Sequence, residues 1–273
     1  MGAVKLLRVF WKAIHLNLKV FFAYPKGFLI SMVIHPIILA LNIALFTSIY
    51  KYNGTTEIQG YDLTQMIWYY AVTTFVWIFT FNFADRRMSN YILSGELGPM
   101  LLRPISVFRF ELANAIALRT AGVLFEFVPD MIIYSLIYPP VFLTLLSFGK
   151  FLVVIVLAFV LHFLLKFLIG MCAVVTQNNA GLNNVLTAAM TLLGGAMIPL
   201  EFFPDWLKTL CGVLPFQYIF YKPVQFFLNH GEAVSTGHWL ATIGMQILWC
   251  GVLYVLGRIV WTVLTRKIVI AGG

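Results

Sequence analysis

Charge is scarce in this chain. Its 273 residues hold 18 Lys and Arg against 10 Asp and Glu, so only 10% are charged, well under the quarter or so usual for a soluble domain. Three cysteines, Cys172, Cys211 and Cys250, show no paired spacing, which argues against a disulfide framework or a zinc site. No G-x-x-x-x-G-K-[ST] run is present, so the chain does not cradle ATP in that manner, and neither H-E-x-x-H nor G-x-S-x-G occurs. No internal repeat and no low-complexity run is visible, and the sequence reads as a single domain over residues 1–273.

What fills the chain is apolar: 61% of it is hydrophobic and 16% aromatic. A spanning helix needs ~20 mostly apolar residues, and six stretches reach about that length, at residues 28–50, 63–83, 112–138, 151–176, 182–200 and 239–264. The expected fold is therefore all-α, a polytopic membrane protein with six transmembrane helices. The first stretch is too long for a signal-peptide core and carries no A-x-A site, so it reads as a retained span.

The basic residues give an orientation. With the N-terminus inside, Lys5, Arg8, Lys12, Lys19, Lys26, Arg86, Arg87, Arg103, Arg109, Arg266 and Lys267 lie on the cytoplasmic side. The opposite loops hold Lys51, Lys150, Lys208 and Lys222, offset by Glu57, Asp62, Glu201, Asp205 and Glu232. By the positive-inside rule both termini are cytoplasmic. The net charge of +8 then reflects topology and contact with membrane lipids, and no nucleic-acid partner is expected.

Residues 1–27 read as an interfacial helix, because Lys5, Arg8, Lys12 and Lys19 fall within a ~60° arc of a helical wheel while Leu7, Phe10, Trp11, Ile14, Leu18 and Phe21 crowd another side. Pro25 and Gly27 turn the chain into the first span. Residues 84–111 form the one sizeable cytoplasmic connection, a short charged helix followed by a break at Ser94-Gly95. On the outer side, residues 201–237 are apolar at helical spacing and cut by Pro204, Pro215 and Pro223. Such a segment is costly in water and is expected to re-enter the outer leaflet. Gln177 to Asn184 fits a polar cytoplasmic turn.

Two of these stretches carry a resemblance. Gly95-Glu96-Leu97 followed by Leu101-Leu102-Arg103-Pro104 resembles the G-E-L-x-x-L-L-x-R-P cytoplasmic loop of ABC-type exporter permeases of the type-two class, in particular small six-span permeases encoded apart from their ATPase. The run from Ile198 to Leu207, with Phe203, Pro204 and Trp206, then Leu214-Pro215-Phe216 and Tyr221-Lys222-Pro223, is similar to the last outer loop of the same family. The chain departs from the pattern at Gly98-Pro99-Met100, where an acidic residue and leucines are more usual.

The resemblance implies an N-terminal interfacial helix, a cytoplasmic coupling helix and re-entrant outer helices in a bacterial plasma (inner) membrane. It implies a second permease, identical or related, and two cytoplasmic ABC ATPase subunits. Gly95, Glu96, Leu97, Leu101, Leu102, Arg103 and Pro104 would face the ATPase, and ATP and Mg would be bound by that partner, leaving no cofactor and no catalytic or metal site in this chain. Export is the implied direction. Export of a lipid or lipid-linked polysaccharide is the alternative within the same architecture.

Ionisable residues inside the apolar stretches need partners or water, since a charge near the bilayer centre costs at least ~2.5 kcal/mol. Glu126 and Asp130 lie four apart around Pro129, and His162 and Lys166 share that spacing in the next stretch. Antiparallel neighbours would pair Glu126 with Lys166 and Asp130 with His162. A buried structural pairing is the simpler reading; a substrate or proton path, or an intramembrane enzyme built on the four groups, is the other. Arg119 is expected to snorkel to the cytoplasmic surface. The aromatics of the second stretch, Trp68, Tyr69, Tyr70, Phe75, Trp77, Phe79, Phe81 and Phe83, read as packing and interface belts.

Overall fold

The computed structural model describes residues 3–23, 26–176 and 179–267. Pro25, expected to turn the chain, and Gln177 and Asn178 of the polar turn lie outside them, as do the side chains of Lys5, Phe21, Lys26, Arg266 and Lys267.

Apart from one tiny hairpin, the regular elements of the described chain are helices. Helix α1 (Ala3–Ala23) precedes α2 (Lys26–Asn53), which holds Pro36 in its interior. Strands β1 (Glu57–Ile58) and β2 (Tyr61–Asp62) pair antiparallel across Gln59 and Gly60. Both turn residues have positive φ, 53° and 83°, as a tight two-residue hairpin turn requires. Asp62 then starts α3 (Leu63–Thr80) with a reciprocal cap: its carboxylate accepts from Gln65 N at 2.8 Å while Gln65 Oε1 accepts from Asp62 N.

The chain stops being helical at Phe81, Asn82 and Phe83 and resumes as α4 (Ala84–Leu93), followed by α5 (Leu97–Leu101) and α6 (Val107–Gly122). A π-turn (Val123–Phe127) joins α6 to α7 (Val128–Ile137). Pro129 offers no N–H to the carbonyl four residues back, and the backbone widens there, with Val128 N donating to Val123 O. After a seven-residue connection come α8 (Leu145–Met171), α9 (Ala173–Thr176), α10 (Ala180–Leu193), α11 (Asp205–Val213), α12 (Tyr221–Leu228) and α13 (Thr236–Lys267).

Among the described residues five helical stretches are long and apolar enough to cross a membrane, Ile30–Asn53, Leu63–Leu93, Val107–Ile137, Leu145–Thr176 and Thr236–Thr265. The expected stretch at 182–200 is not a sixth of that length. Its helix, α10, stops after 14 residues, about 21 Å of rise. The stop is set by Gly194-Gly195: Gly195 has φ +77°, and a Cβ on Gly194 would lie 2.9 Å from the carbonyl of Phe216, so a bulkier residue fits at neither position.

Helix α8 is the post around which the rest is arranged, packing against α3, α4, α12 and α13. Its buried Phe151, Val154, Ile155, Ala158 and Leu161 meet the aromatics of α3. Trp68 stacks on Phe227 at 5.8 Å and Phe75 on Tyr134 at 5.5 Å, and both are wholly buried. Lipid tails are as apolar as these rings, so what holds them is close van der Waals fit rather than escape from water. The tightest approach is at Gly170 of α8, where an added Cβ would lie 2.7 Å from Met88 Cβ and 2.8 Å from the carbonyl of Asp85 on α4.

Candidate functional site

The segment expected to be a cytoplasmic loop, residues 84–111, is only partly one. Ala84, Asp85, Met88 and Ser89 of α4 are buried against α8, so α4 prolongs the bundle and the free turn begins after Leu93. The turn is made by Ser94 and Gly95, the latter at φ +77°, a left-handed position that suits glycine at a helix C-terminus. Helix α5 comes directly after it. Pro99 falls in its first turn, where a missing N–H costs nothing, so the departure at Gly98-Pro99-Met100 is compatible with a helix.

Two faces of α5 differ. Leu97 and Met100 are buried in a cluster with Ala84, Met88, Val107, Phe167 and Met171. Gly95, Glu96, Leu101, Leu102, Arg103 and Pro104 are exposed, Leu102 by 89%. Glu96 occupies the N-cap position without a side-chain capping bond, and the Arg103 guanidinium lies over the Phe110 ring at 5.6 Å. The result is a rigid tip with an apolar crown between an acid and a base.

That tip stands on Glu111 of α6, which is fully buried. Glu111 accepts from Arg87 Nε at 2.6 Å, Tyr91 OH at 2.9 Å and Asn114 Nδ2 at 3.3 Å. Three donors on one carboxylate fasten α4 to α6. A second tie lies at the break between α3 and α4. Asn82 Oδ1 accepts from Ala84 N at 3.2 Å, and His162 Nδ1 of α8 lies 2.8 Å from the Thr80 carbonyl and 3.0 Å from Asn82 Nδ2.

The four intramembrane polar residues do not pair as their spacing predicts. Lys166 Nζ lies 3.3 Å from Asp85 Oδ2 and donates to Asn183 Oδ1. Asp130 Oδ2 is bonded at 2.6 Å to His35 Nδ1 of α2. His162 belongs to the Thr80 and Asn82 knot, and Glu126 is half-buried on the π-turn with no hydrogen bond among the described residues. The reason is depth. Measured from the connection that joins α7 to α8, Lys166 is 21 residues along its helix and Glu126 is 11 residues from the end at Ile137. At 1.5 Å per residue that is about 32 Å against about 17 Å. The constellation an intramembrane enzyme would need is not assembled. Arg119 also departs from expectation: rather than snorkelling outward, it donates to the Ile78 carbonyl at 2.6 Å and lies over the Phe81 ring.

Residues 201–237, expected on the outer side, divide in two. Helix α12 is buried along most of its length, with Pro223, Val224, Phe226, Phe227 and Leu228 inside the bundle. Helix α11 keeps Cys211 inward with Phe203 and Leu207, while Trp206 is 70% exposed and Leu210 and Val213 point the same way. Pro215 is buried, Phe216 packs against the core and Pro204 is exposed. Tyr221 OH donates to Glu201, and Gln225 Nε2 donates to the buried Tyr61 OH, which ties this segment to the β-hairpin. Burial lowers the pKa of the Lys222 ammonium, opposed by the charges of Glu232 and Glu201. Lys150, expected among the outer charges, is not free either, since its ammonium is buried on the Val234 carbonyl at 2.7 Å.

Helix α1 is placed by its apolar face against α6, with Ile14 buried between Ala113 and Ala117 and flanked by Phe10 and Leu18. Leu7 and Trp11 are exposed instead, on the same helix as the exposed Arg8, Lys12 and Lys19.

Four of the residues that fasten this region, His35, Asn82, Asp85 and Glu111, are not singled out by spacing or motif; Asn183 falls in the run expected to be a polar turn, and the structure places it in α10. A signal existed for two of them. His35 is an ionisable residue inside the first apolar stretch, and Glu111 with Asn114 forms an i,i+3 polar pair on a helix otherwise rich in alanine.

With this geometry in view, the family described as ABC-2 family transporter protein matches residues 36–272. No curated protein matches the chain.

Proposed function

The chain belongs to the ABC-2 transporter family, and from that membership we propose that it is the permease subunit of an ATP-driven exporter, working with a second permease and with separate cytoplasmic ABC ATPases. ATP and its Mg ion are held by those partners. The observation that carries the reading is the tip at residues 95–104: exposed Glu96, Leu101, Leu102 and Arg103 on a foundation buried against α4, α6 and α8. A tip of that kind offers a partner an apolar contact and two charges of opposite sign, and it is stiff enough to pass a displacement on.

Six crossings complete the topology, the fifth made by α10 with the chain up to residue 200, both termini on the cytoplasmic side of a bacterial inner membrane. The asymmetry of the basic residues supports that orientation, and helix α1 lies in the cytoplasmic interface with Leu7 and Trp11 in lipid. Helix α11 re-enters the outer leaflet, which gives its exposed Trp206, Leu210 and Val213 an apolar surrounding.

Affinity purification in mild detergent, with mass spectrometry of the bound subunits, tests the assembly directly. Glu96→Ala with Arg103→Ala is expected to lower substrate-stimulated ATP hydrolysis roughly fivefold or more while insertion and yield stay intact; normal coupling in that variant overturns the docking role. Cysteines placed at Leu207 and Leu210, in a background without the three native ones, are expected to resist membrane-impermeant thiol reagents. Rapid labelling at Leu210, the more exposed of the two, would place α11 in water.

A further inference from the structure

We propose that a cavity between the start of α6 and the last third of α13 binds an anionic phospholipid from the leaflet on the α5 side of the protein. The cavity has a volume of about 440 Å³ and is lined by Arg103, Arg109 and Arg258 together with Phe108, Tyr254 and Trp261. No Asp or Glu lines it, and among the described residues no carboxylate pairs with any of the three guanidiniums. Three arginines along one cavity with no acidic residue in its lining favour an anion from outside the chain. Three further cavities each include an acidic residue. The outer one, of about 250 Å³, sets Glu201 and Glu232 against Lys222, and the two near α4 include Asp85 beside Arg86.

The walls decide between a lipid and a soluble anion. Phe108, Tyr254 and Trp261 give the cavity an aromatic side, and Val255 and Ile259 next to it on α13 are both exposed to the membrane surround. Arg258 lies nine residues before the end of α13, about 14 Å along its axis. The helix has 32 residues, about 48 Å of rise against a ~30 Å hydrocarbon core. Centring it leaves about 9 Å beyond the core at each end, so Arg258 sits just inside the apolar border, within snorkelling reach of a phosphate. A diacyl phospholipid meets both demands at once: its phosphate among the guanidiniums, one chain along the aromatic wall. Bound there, it adds to the direct contact of Phe108 on Tyr254 at 5.9 Å, by which α6 already meets the last span.

The test uses the full chain purified in mild detergent, with native mass spectrometry after addition of phosphatidylglycerol, phosphatidylcholine of the same acyl chains, or inorganic phosphate. The expected result is a saturable site preferring phosphatidylglycerol about tenfold or more. Arg109→Gln with Arg258→Gln is expected to abolish the preference, and Arg109→Lys with Arg258→Lys to keep most of it. Each single glutamine variant should give an intermediate preference, so the test stands even where the double variant aggregates. Equal binding of the two lipids, or an unchanged preference in the glutamine variants, overturns the proposal. Competition by inorganic phosphate would make it a soluble-anion site, and displacement of the lipid by a co-purified protein would make it a protein interface; either outcome refutes the lipid assignment.

Discussion

Replacing Lys166 by methionine is expected to collapse the yield of folded permease, and Asp85→Asn introduced alongside is expected to restore most of it. Lys166 and Asp85 are both nearly inaccessible, with side chains 6% and 2% exposed, and their charged atoms are 3.3 Å apart. A buried pair of this kind adds little net stability, because removing two ions from water offsets most of their attraction. Breaking it from one side is another matter, since a lone buried charge costs about 3–5 kcal/mol. Methionine keeps the length of the lysine stem, so loss of packing contributes little. The readout is monodisperse yield and thermal midpoint in mild detergent. Glu126→Gln, which would have rescued Lys166→Met had those two been partners, is expected to rescue nothing. A double Asp85→Asn, Lys166→Met variant worse than either single change would refute the pairing.

The second large effect is expected at Glu111. Glu111→Ala leaves Arg87, Tyr91 and Asn114 without their shared acceptor, and about 3–5 kcal/mol is lost because the Arg87 charge then stands unpaired beside the bundle. Glu111→Gln keeps an acceptor and loses the charge, so its cost is smaller, about 1–3 kcal/mol. Arg87→Met with Glu111→Leu removes both ions and should recover most of the stability. It should not recover coupling to ATP hydrolysis, because α4 is no longer fastened to α6. Equal thermal midpoints for wild type and Glu111→Ala would show that the carboxylate carries no structural charge.

Much of this architecture was legible in the apolar runs. The lengths of five of them translate into helices because a bilayer leaves the backbone no other way to satisfy its hydrogen bonds, and the break at Ser94-Gly95 was visible from glycine alone. The remaining run gives a shorter helix for a local reason: residues 182–200 are largely apolar, and hydropathy does not register that Gly194 lies against a carbonyl of a distant segment. Partner choice was illegible for a different one. The spacing of Glu126 and Asp130 looks like one helical face, yet the π-turn adds a residue at 123–127 and rotates α7 relative to α6 by about 100°. Helix α8 also begins at Leu145, six residues earlier than its run of continuous hydrophobicity. An error in each of two helices is enough to exchange every partner between them.

The contact at Gly170 has a mechanical meaning. Where helices meet through side chains, a small push is absorbed by rotamers that shift and by chains that bend, much as a gasket takes up travel. Between α4 and α8 at this point no side chain intervenes from α8, and the backbone of one helix lies directly on the other. A displacement of α4 meets α8 here with little side-chain slack to absorb it, and α8 packs against α3, α12 and α13 as well. A methyl group inserted here would act as a shim, setting the two helices at a new angle even if each stayed intact.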